Sequence, residues 1–396
     1  MKTMKTNILS LTLISLIGLT GACTTSNQEN TGGLKTIHVE VDNIRTDVKL
    51  SEFAEAQIIP LPTSDDLLIG KIKKVCASDK SICISAENTI YRFTRSGEYL
   101  GKISKHGEGP DEYTGIRDFI ITEDDEVAIF TLGKQALMFY SWDNQLKKKI
   151  KLDVSPSARI TRMEDKLVIN NGNKISNTNK YVLMFIDLNS GEMTNELLPV
   201  DEYKAKYLYS IESNTFTPGE NDTTCYFYTW FNDTIYRITP NTCQPEVAFD
   251  WDGKNIPTDY YRHDYPSVVQ FLDGLTEGQT FGTHFQLKSD NYLMVQYEQC
   301  RKGHQTVVIP SNGGAPINMK EAHIDELGGF PLDMTCNAYY DNKFPTGYNE
   351  AFFVVQPMDI LDYVEEHAPE SLDEVKKKIK HTSDDQNPVL LVINLK

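Results

Sequence analysis

The sequence lacks most of the patterns on which recognisable chemistry is built. It contains no G-x-S-x-G turn, so the serine nucleophile of a strand-to-helix elbow is excluded. Its eight histidines, at positions 38, 106, 263, 284, 304, 323, 367 and 381, include no H-x-x-x-H or H-x-H pair, and its seven cysteines include no C-x-x-C. Neither a helical zinc pair nor a zinc knuckle is therefore encoded, and no metal, cofactor or catalytic residue is assigned. Basic charge is also in deficit: 39 Lys and Arg stand against 56 Asp and Glu, a net charge of −17. A body this acidic repels phosphate backbones, which argues against nucleic acid as a partner. Past the N-terminus no apolar run approaches the roughly 20 residues of a membrane-spanning helix.

The N-terminus reads as an export signal. Lys2 and Lys5 precede an apolar run from Ile8 to Leu19, and Gly21, Ala22 and Cys23 follow. Leu19-Thr20-Gly21-Ala22-Cys23 resembles a bacterial lipobox, with Thr20 standing where a leucine is usual, so Cys23 is the expected lipid attachment and residues 1–22 the expected signal peptide. Their removal takes two lysines, and the net charge passes from −17 to −19. Residues 23–35 are polar, small and aperiodic, as a flexible tether would be. The expected location is the outer membrane, periplasmic or surface-facing, with the lipid as the only anchor.

Six cysteines remain after Cys23, too few for a disulfide framework in a chain long enough to bury a large core. Cys76 and Cys83 flank the turn Ser78-Asp79-Lys80-Ser81 and are placed opposite each other in a hairpin, either as a disulfide or as two small buried thiols.

From residue 36 to 396 the recurring unit is a short apolar strand, a polar turn and a second strand rich in β-branched and aromatic residues. Six copies align: Ile72–Ala77 with Ser81–Ser85, Phe119–Thr122 with Glu126–Phe130, Arg159–Met163 with Lys166–Asn170, Tyr207–Glu212 with Thr224–Trp230, His284–Leu287 with Tyr292–Tyr297, and Met334–Tyr340 with Ala351–Gln356. Reference positions in successive copies are 45, 40, 58, 67 and 59 residues apart, each enough for a four-stranded sheet. The fold class this implies is all-β, a six-bladed β-propeller, whose radial repetition avoids the long open edges of a sandwich of this size. Closing the ring requires a strand near Glu55–Leu61 to pair with Val389–Asn394. Two insertions are read as helical: one near 256–278, with a helix from Pro266 through Leu272, and one near 358–381. The second holds a helix from Ile360 to Glu366, then one opened by a capping box over Ser371–Glu374.

Three stretches carry a family resemblance. They are Ile90–Leu100 followed by Gly107-Glu108-Gly109-Pro110-Asp111-Glu112-Tyr113 and Ile116–Phe119, then Asn232–Ile238, and finally Asp385–Leu391. The sequence from Ile58 to Lys396 resembles the six-bladed β-propeller lipoproteins of Bacteroidetes, relatives of NHL-repeat propellers, with Asp111 standing where a glycine is usual. The resemblance implies a cell-envelope protein from bacteria that import and degrade glycans, and hence a carbohydrate or an outer-membrane protein of glycan uptake as partner.

Candidate binding residues follow from chemistry rather than motif. Arg117, Arg159 and Arg162 stand at strand starts and are placed toward the central channel, where they would meet an anion or pair with acidic turns. Tyr260, Tyr261, His263 and Tyr265 form the densest polar-aromatic cluster, suited to stacking on a sugar ring. Two function classes remain: a non-enzymatic binding or scaffold module, and a propeller enzyme such as a metal-dependent lyase or hydrolase. The second would draw on His106, beside the glycine turn, or His284, on an inner strand.

Overall fold

The computed structural model describes residues 34–131, 133–173, 180–208, 215–335, 342–380, 383 and 385–396. Six antiparallel sheets are arranged as the blades of a propeller, with their innermost strands around a central channel. Blade 1 is Ile72–Ala77, Ser81–Ala86, Thr89–Thr94 and Tyr99–Ile103, and blade 2 is Ile116–Ile121, Val127–Thr131, Ala136–Tyr140 and Leu146–Lys151. Blade 3 is Arg159–Met163, Lys166–Asn170, Tyr181–Asp187 and Met193–Pro199; blade 4 is Phe216–Pro218, Cys225–Phe227, Thr234–Thr239 and Thr242–Asp250. Blade 5 is Thr280–Lys288, Tyr292–Gln299, Gly303–Pro310 and Ile317–Met319. Strands near the channel are covered on both faces by neighbouring blades, which is why Ser81–Ala86 and Val127–Thr131 are buried at every position.

Blade 6 unites both ends of the propeller: Lys343–Pro345, Glu350–Val355 and Val389–Leu395 are completed by the N-terminal strand Ala54–Pro60 as its outer edge. Its register runs from Val389 opposite Pro60 to Leu395 opposite Ala54, so the expected closure is formed. Before reaching blade 6, the N-terminal segment straps two other blades. Lys35–His38 lies parallel to the outer strand of blade 4, Lys35 opposite Val247 and His38 opposite Asp250, and Ile44–Arg45 lies parallel to Ile317–Met319 of blade 5. Between these two strands Asp42 accepts hydrogen bonds from Lys254 of the blade 4–5 connection at 2.6 Å and from Gln299 at 3.2 Å and Lys302 at 3.3 Å in blade 5. Because the strap runs parallel to the last strand of blade 4, it enters on the face that carries each blade's first turn.

Two of the aligned strands lie elsewhere. In blade 4 the innermost strand is Phe216–Pro218; the proposed Tyr207–Glu212 opens just after a 3-10 turn over Lys204–Lys206, with Tyr207 stacked on Phe271 of the insertion, and residues 209–212 lie outside the described residues. In blade 6 it is Lys343–Pro345; Met334 follows an accessory hairpin, Glu321–Ile324 with Phe330–Asp333, and residues 336–340 lie outside the described residues. Tyr207 and Leu208 pack in the small core of the insertion, and Met334 in the core beneath blades 5 and 6.

The helices form as Val268–Asp273, Pro357–His367 and Leu372–Lys378. The capping box at Ser371 is absent, because a 3-10 turn over Pro369–Ser371 leaves Ser371 already in helical conformation, and an N-cap side chain needs an extended backbone to reach the following amides. Ile360 and Val364 of the longer helix pack with Leu327, with Phe53 of the strap and with Leu391 in one core beneath blades 5 and 6.

Candidate functional site

Around the channel one polar cluster joins three blades. Lys74 of blade 1 donates to Asp118 of blade 2 at 2.5 Å and to the carbonyls of Phe119 at 3.0 Å and Ile160 at 3.3 Å; Asp118 also accepts the Ile160 amide of blade 3 at 2.8 Å. Burial works against the Lys74 ammonium, but the Asp118 carboxylate outweighs it and leaves its pKa raised. The pair is thus a structural node with its hydrogen-bonding capacity taken up.

The three arginines divide between the two ends of the channel. Arg117 and Arg159 converge on one acceptor, the Ser157 carbonyl, at 2.6 and 3.4 Å. Arg162 donates to the Glu164 carbonyl at 2.9 Å and lines a cavity of about 430 Å³ at the other end. Five of the six blades contribute to that cavity, which mixes Lys74 and Arg162 with Asp79, Glu220 and Asp222 and selects no single ligand charge.

A second cavity, of about 310 Å³, opens on the opposite face between blades 3 and 4. Its apolar wall is Tyr207, Phe227, Trp230, Phe231 and Leu198; its polar edge includes Asn170, Asn173, Asn232, Asp201 and Lys204. Trp230 is half-buried, edge-on to Phe231 at 4.6 Å, and donates its indole N–H to Glu298 at 3.3 Å. Phe231 in turn stacks on Phe281 at 4.0 Å. Asn173 donates to the Leu208 carbonyl and Asn170 to the Thr215 hydroxyl, both at 3.2 Å, so the amides are held in place. Lys204 donates to the Phe231 carbonyl at 3.3 Å and lies 4.6 Å from the Tyr261 ring; burial lowers its pKa, against the opposing pull of Asp201 and Asp233. Two bulky wall residues, Leu198 with φ 59° and Phe231 with φ 58°, occupy the left-handed region that side chains rarely adopt. Such conformations persist only where surrounding structure enforces them, and they concentrate at binding sites.

The tyrosine cluster supports this cavity from behind. Tyr260, Tyr261 and Tyr265 pack round Phe271, with the Tyr260 hydroxyl donating to the Phe271 carbonyl and Tyr265 to the Tyr260 carbonyl at 3.1 Å. Tyr207, on the cavity wall, donates to the His263 carbonyl at 3.1 Å; the His263 side chain is exposed. The cluster is therefore the core of the insertion rather than an open platform. Of the other histidines, His106 is exposed beside Tyr113, and the ring of His284 lies outside what the structure describes. Among the described residues no group of three or more His, Cys, Asp or Glu is disposed to hold a metal ion. Cys76 and Cys83 do stand opposite each other, as free thiols. Cys23 lies outside the described residues.

The sequence pointed to the neighbourhood but not to the site. Its one local signal is the turn Trp230-Phe231-Asn232-Asp233, whose aromatic and amide residues sit where a hairpin would ordinarily carry small polar ones.

Residues 34–394 match the family described as Domain of unknown function (DUF4934). The chain belongs to this family. No curated protein matches the sequence. The DUF4934 propeller is similar to a Bacteroides fragilis protein described as exported, with a TM-score of 0.69 at 16% identity over 92% of this chain and 100% of that one. It is also similar to a Bacteroides vulgatus member of the DUF4221 family, with a TM-score of 0.48 at 9% identity over 86% of this chain and 98% of the other. A Staphylococcus aureus virginiamycin B lyase follows with a TM-score of 0.39 at 15% identity over 76% and 81% of the two chains. At such identities the first likeness is one of fold, and the other two are too distant to bear on what this DUF4934 chain does.

Proposed function

We propose that this protein is a cell-envelope binding module, held by a lipid on Cys23, that takes a carbohydrate in the cavity between blades 3 and 4 without turning it over. The observation that carries the reading is the strained aromatic wall: Trp230 and Phe231 line, together with the fixed amides of Asn170 and Asn173, a cavity of about 310 Å³, with Phe231 and Leu198 both held in left-handed backbone. Sugar rings present flat C–H faces to aromatic rings and hydroxyls to amides and carboxylates, which matches Asn173, Asn232 and Asp201. The cavity opens on the face opposite the one where the strap enters. The Bacteroides fragilis protein of this fold described as exported, and the lipobox-like Leu19–Cys23, favour the envelope. The partner in uptake would be an outer-membrane protein.

The test is a glycan array with wild type and Trp230→Ala, run beside a turnover assay. Binding to neutral oligosaccharides, weakened at least about ten-fold in the variant and without product, is expected, in line with loss of one aromatic anchor. Equal binding by both proteins, or release of a cleaved product, would overturn it.

A further inference from the structure

The outermost strand of blade 2, Leu146–Lys151, reads Leu-Lys-Lys-Lys-Ile-Lys in a chain with 56 acidic and 39 basic residues. Lys148 and Ile150 anchor it to blade 3: Lys148 donates to the Leu188 and Asn189 carbonyls, and Ile150 is buried with Ile160 and Ile186. Lys149 and Lys151, opposite Met138 and Ala136, are turned the other way, and Lys147 sits at the bulge where the register shifts. All three are exposed. Lys149 and Lys151 have no ion-pair or hydrogen-bond partner among the described residues, and Lys147 has only the field of nearby Asp143. Alternate residues on a strand stand about 7 Å apart, so the ammonium groups form a row along the blade's rim.

This edge is also open. The corresponding edges of blades 4 and 5 are covered by the strap, whereas Leu146–Lys151 has a neighbour on one side only. Lysines on an open edge discourage strand-to-strand aggregation. That role accounts for one or two of them, but not for a row in which, among the described residues, only Lys147 has a carboxylate, Asp143, beside it in so acidic a chain. We propose that this rim docks a linear anionic polysaccharide, carboxylated or sulfated, while the negative remainder of the ring repels it and so fixes where it lies. The rim is a narrow line rather than a plane, which suits a polymer better than a lipid surface. Single-stranded nucleic acid would add base stacking, but Phe139 and Tyr140 on the neighbouring strand are buried, and Trp142 is covered by the Arg92 guanidinium at 4.7 Å and donates its N–H to the Asp125 carbonyl. The inference rests on the glycan reading above for the class of partner, but uses a different surface.

The experiment measures binding of the full chain to polygalacturonate and to heparin, with oligothymidine and phosphatidylglycerol vesicles as comparison arms. Wild type is expected to bind the polysaccharides, more weakly as salt rises, and K147S/K149S/K151S to lose at least about ten-fold, as neutralised contacts would. Replacing the same three lysines by arginine should restore binding, which a folding defect in the serine variant would not explain. Neutral oligosaccharides, which the lysine row does not attract by charge, are measured beside them, so failure of the neutral-glycan reading and failure of this one give separate results. Equal binding by the serine variant, no binding by wild type, or binding to oligothymidine or vesicles as strong as to the polysaccharides would overturn the proposal.

Discussion

The Asp118 carboxylate receives both the Lys74 ammonium of one neighbouring blade and the Ile160 amide of the other, so a single buried side chain ties blades 1, 2 and 3 together beside the channel. Removing one partner of such a pair leaves the other charged and desolvated. Asp118→Ala is therefore expected to destabilise the ring by about 3–5 kcal/mol. Pairing it with Lys74→Met should recover much of that loss. Chemical denaturation of both variants checks this, and a double variant no better than the single one would contradict it.

Ring closure depends on Val389–Leu395 lying between Glu350–Val355 and Ala54–Pro60. A chain ending at Pro388 would expose both of those strands, and with them the core below blade 6. It is expected to lose cooperative unfolding, as read by circular dichroism. The milder Leu391→Ala removes a fully buried side chain and should cost about 2–5 kcal/mol. An unaltered melting temperature in the truncated chain would rule the closure out.

The strap should loosen in acid. Lys254, then Gln299 and Lys302, hold the Asp42 carboxyl well below its ordinary value of 3.8. A depressed pKa means the contact stabilises the fold above that value and is lost progressively as pH falls through and below it. Hydrogen exchange of the Lys35–His38 amides should therefore be faster in Asp42→Asn than in wild type at pH 7. The difference should shrink as the pH is lowered below about 4. A gap that persisted there would assign the strap's hold to other contacts.

Burial pushes the Cys76 thiol up to about 11, against the pull of Lys74, and the Cys83 thiol to about 12. Since only the thiolate reacts, both should resist iodoacetamide at pH 8 in the native protein and react promptly after unfolding. Peptide mass spectrometry gives the result. Rapid native alkylation, or a disulfide between the two in protein recovered without reductant, would contradict it.

The blades were legible where burial and turn chemistry agree. Arg159–Met163 and Lys166–Asn170 emerged with their limits correct because an acidic turn separates two runs of alternating or continuous apolar residues, and Glu164 takes the positive φ the tight hairpin needs. Phe216–Pro218 was missed because three residues are too few to show a period, and the aromatic signal upstream at Tyr207 belongs to the insertion. The tyrosine cluster was found as a feature, but its packing was not legible, since density along the sequence does not distinguish rings packed on Phe271 from rings facing solvent. The cavity itself was hidden. Its walls join Asn173 to Trp230, 57 positions apart, and only the order of blades around the ring brings them together.

The strap has a mechanical consequence as well. Lys35–His38 runs alongside its partner strand, so tension entering through Leu34 acts along the strand axis and loads the hydrogen bonds to residues 247–250 together, in shear. The load then passes by way of Asp42 and Ile44–Arg45 into Ala54–Pro60, the strand that locks the ring. A pull at this end is thus spread over three successive blades before it reaches the closure, whereas the same force applied across the strands would peel the contacts away one at a time.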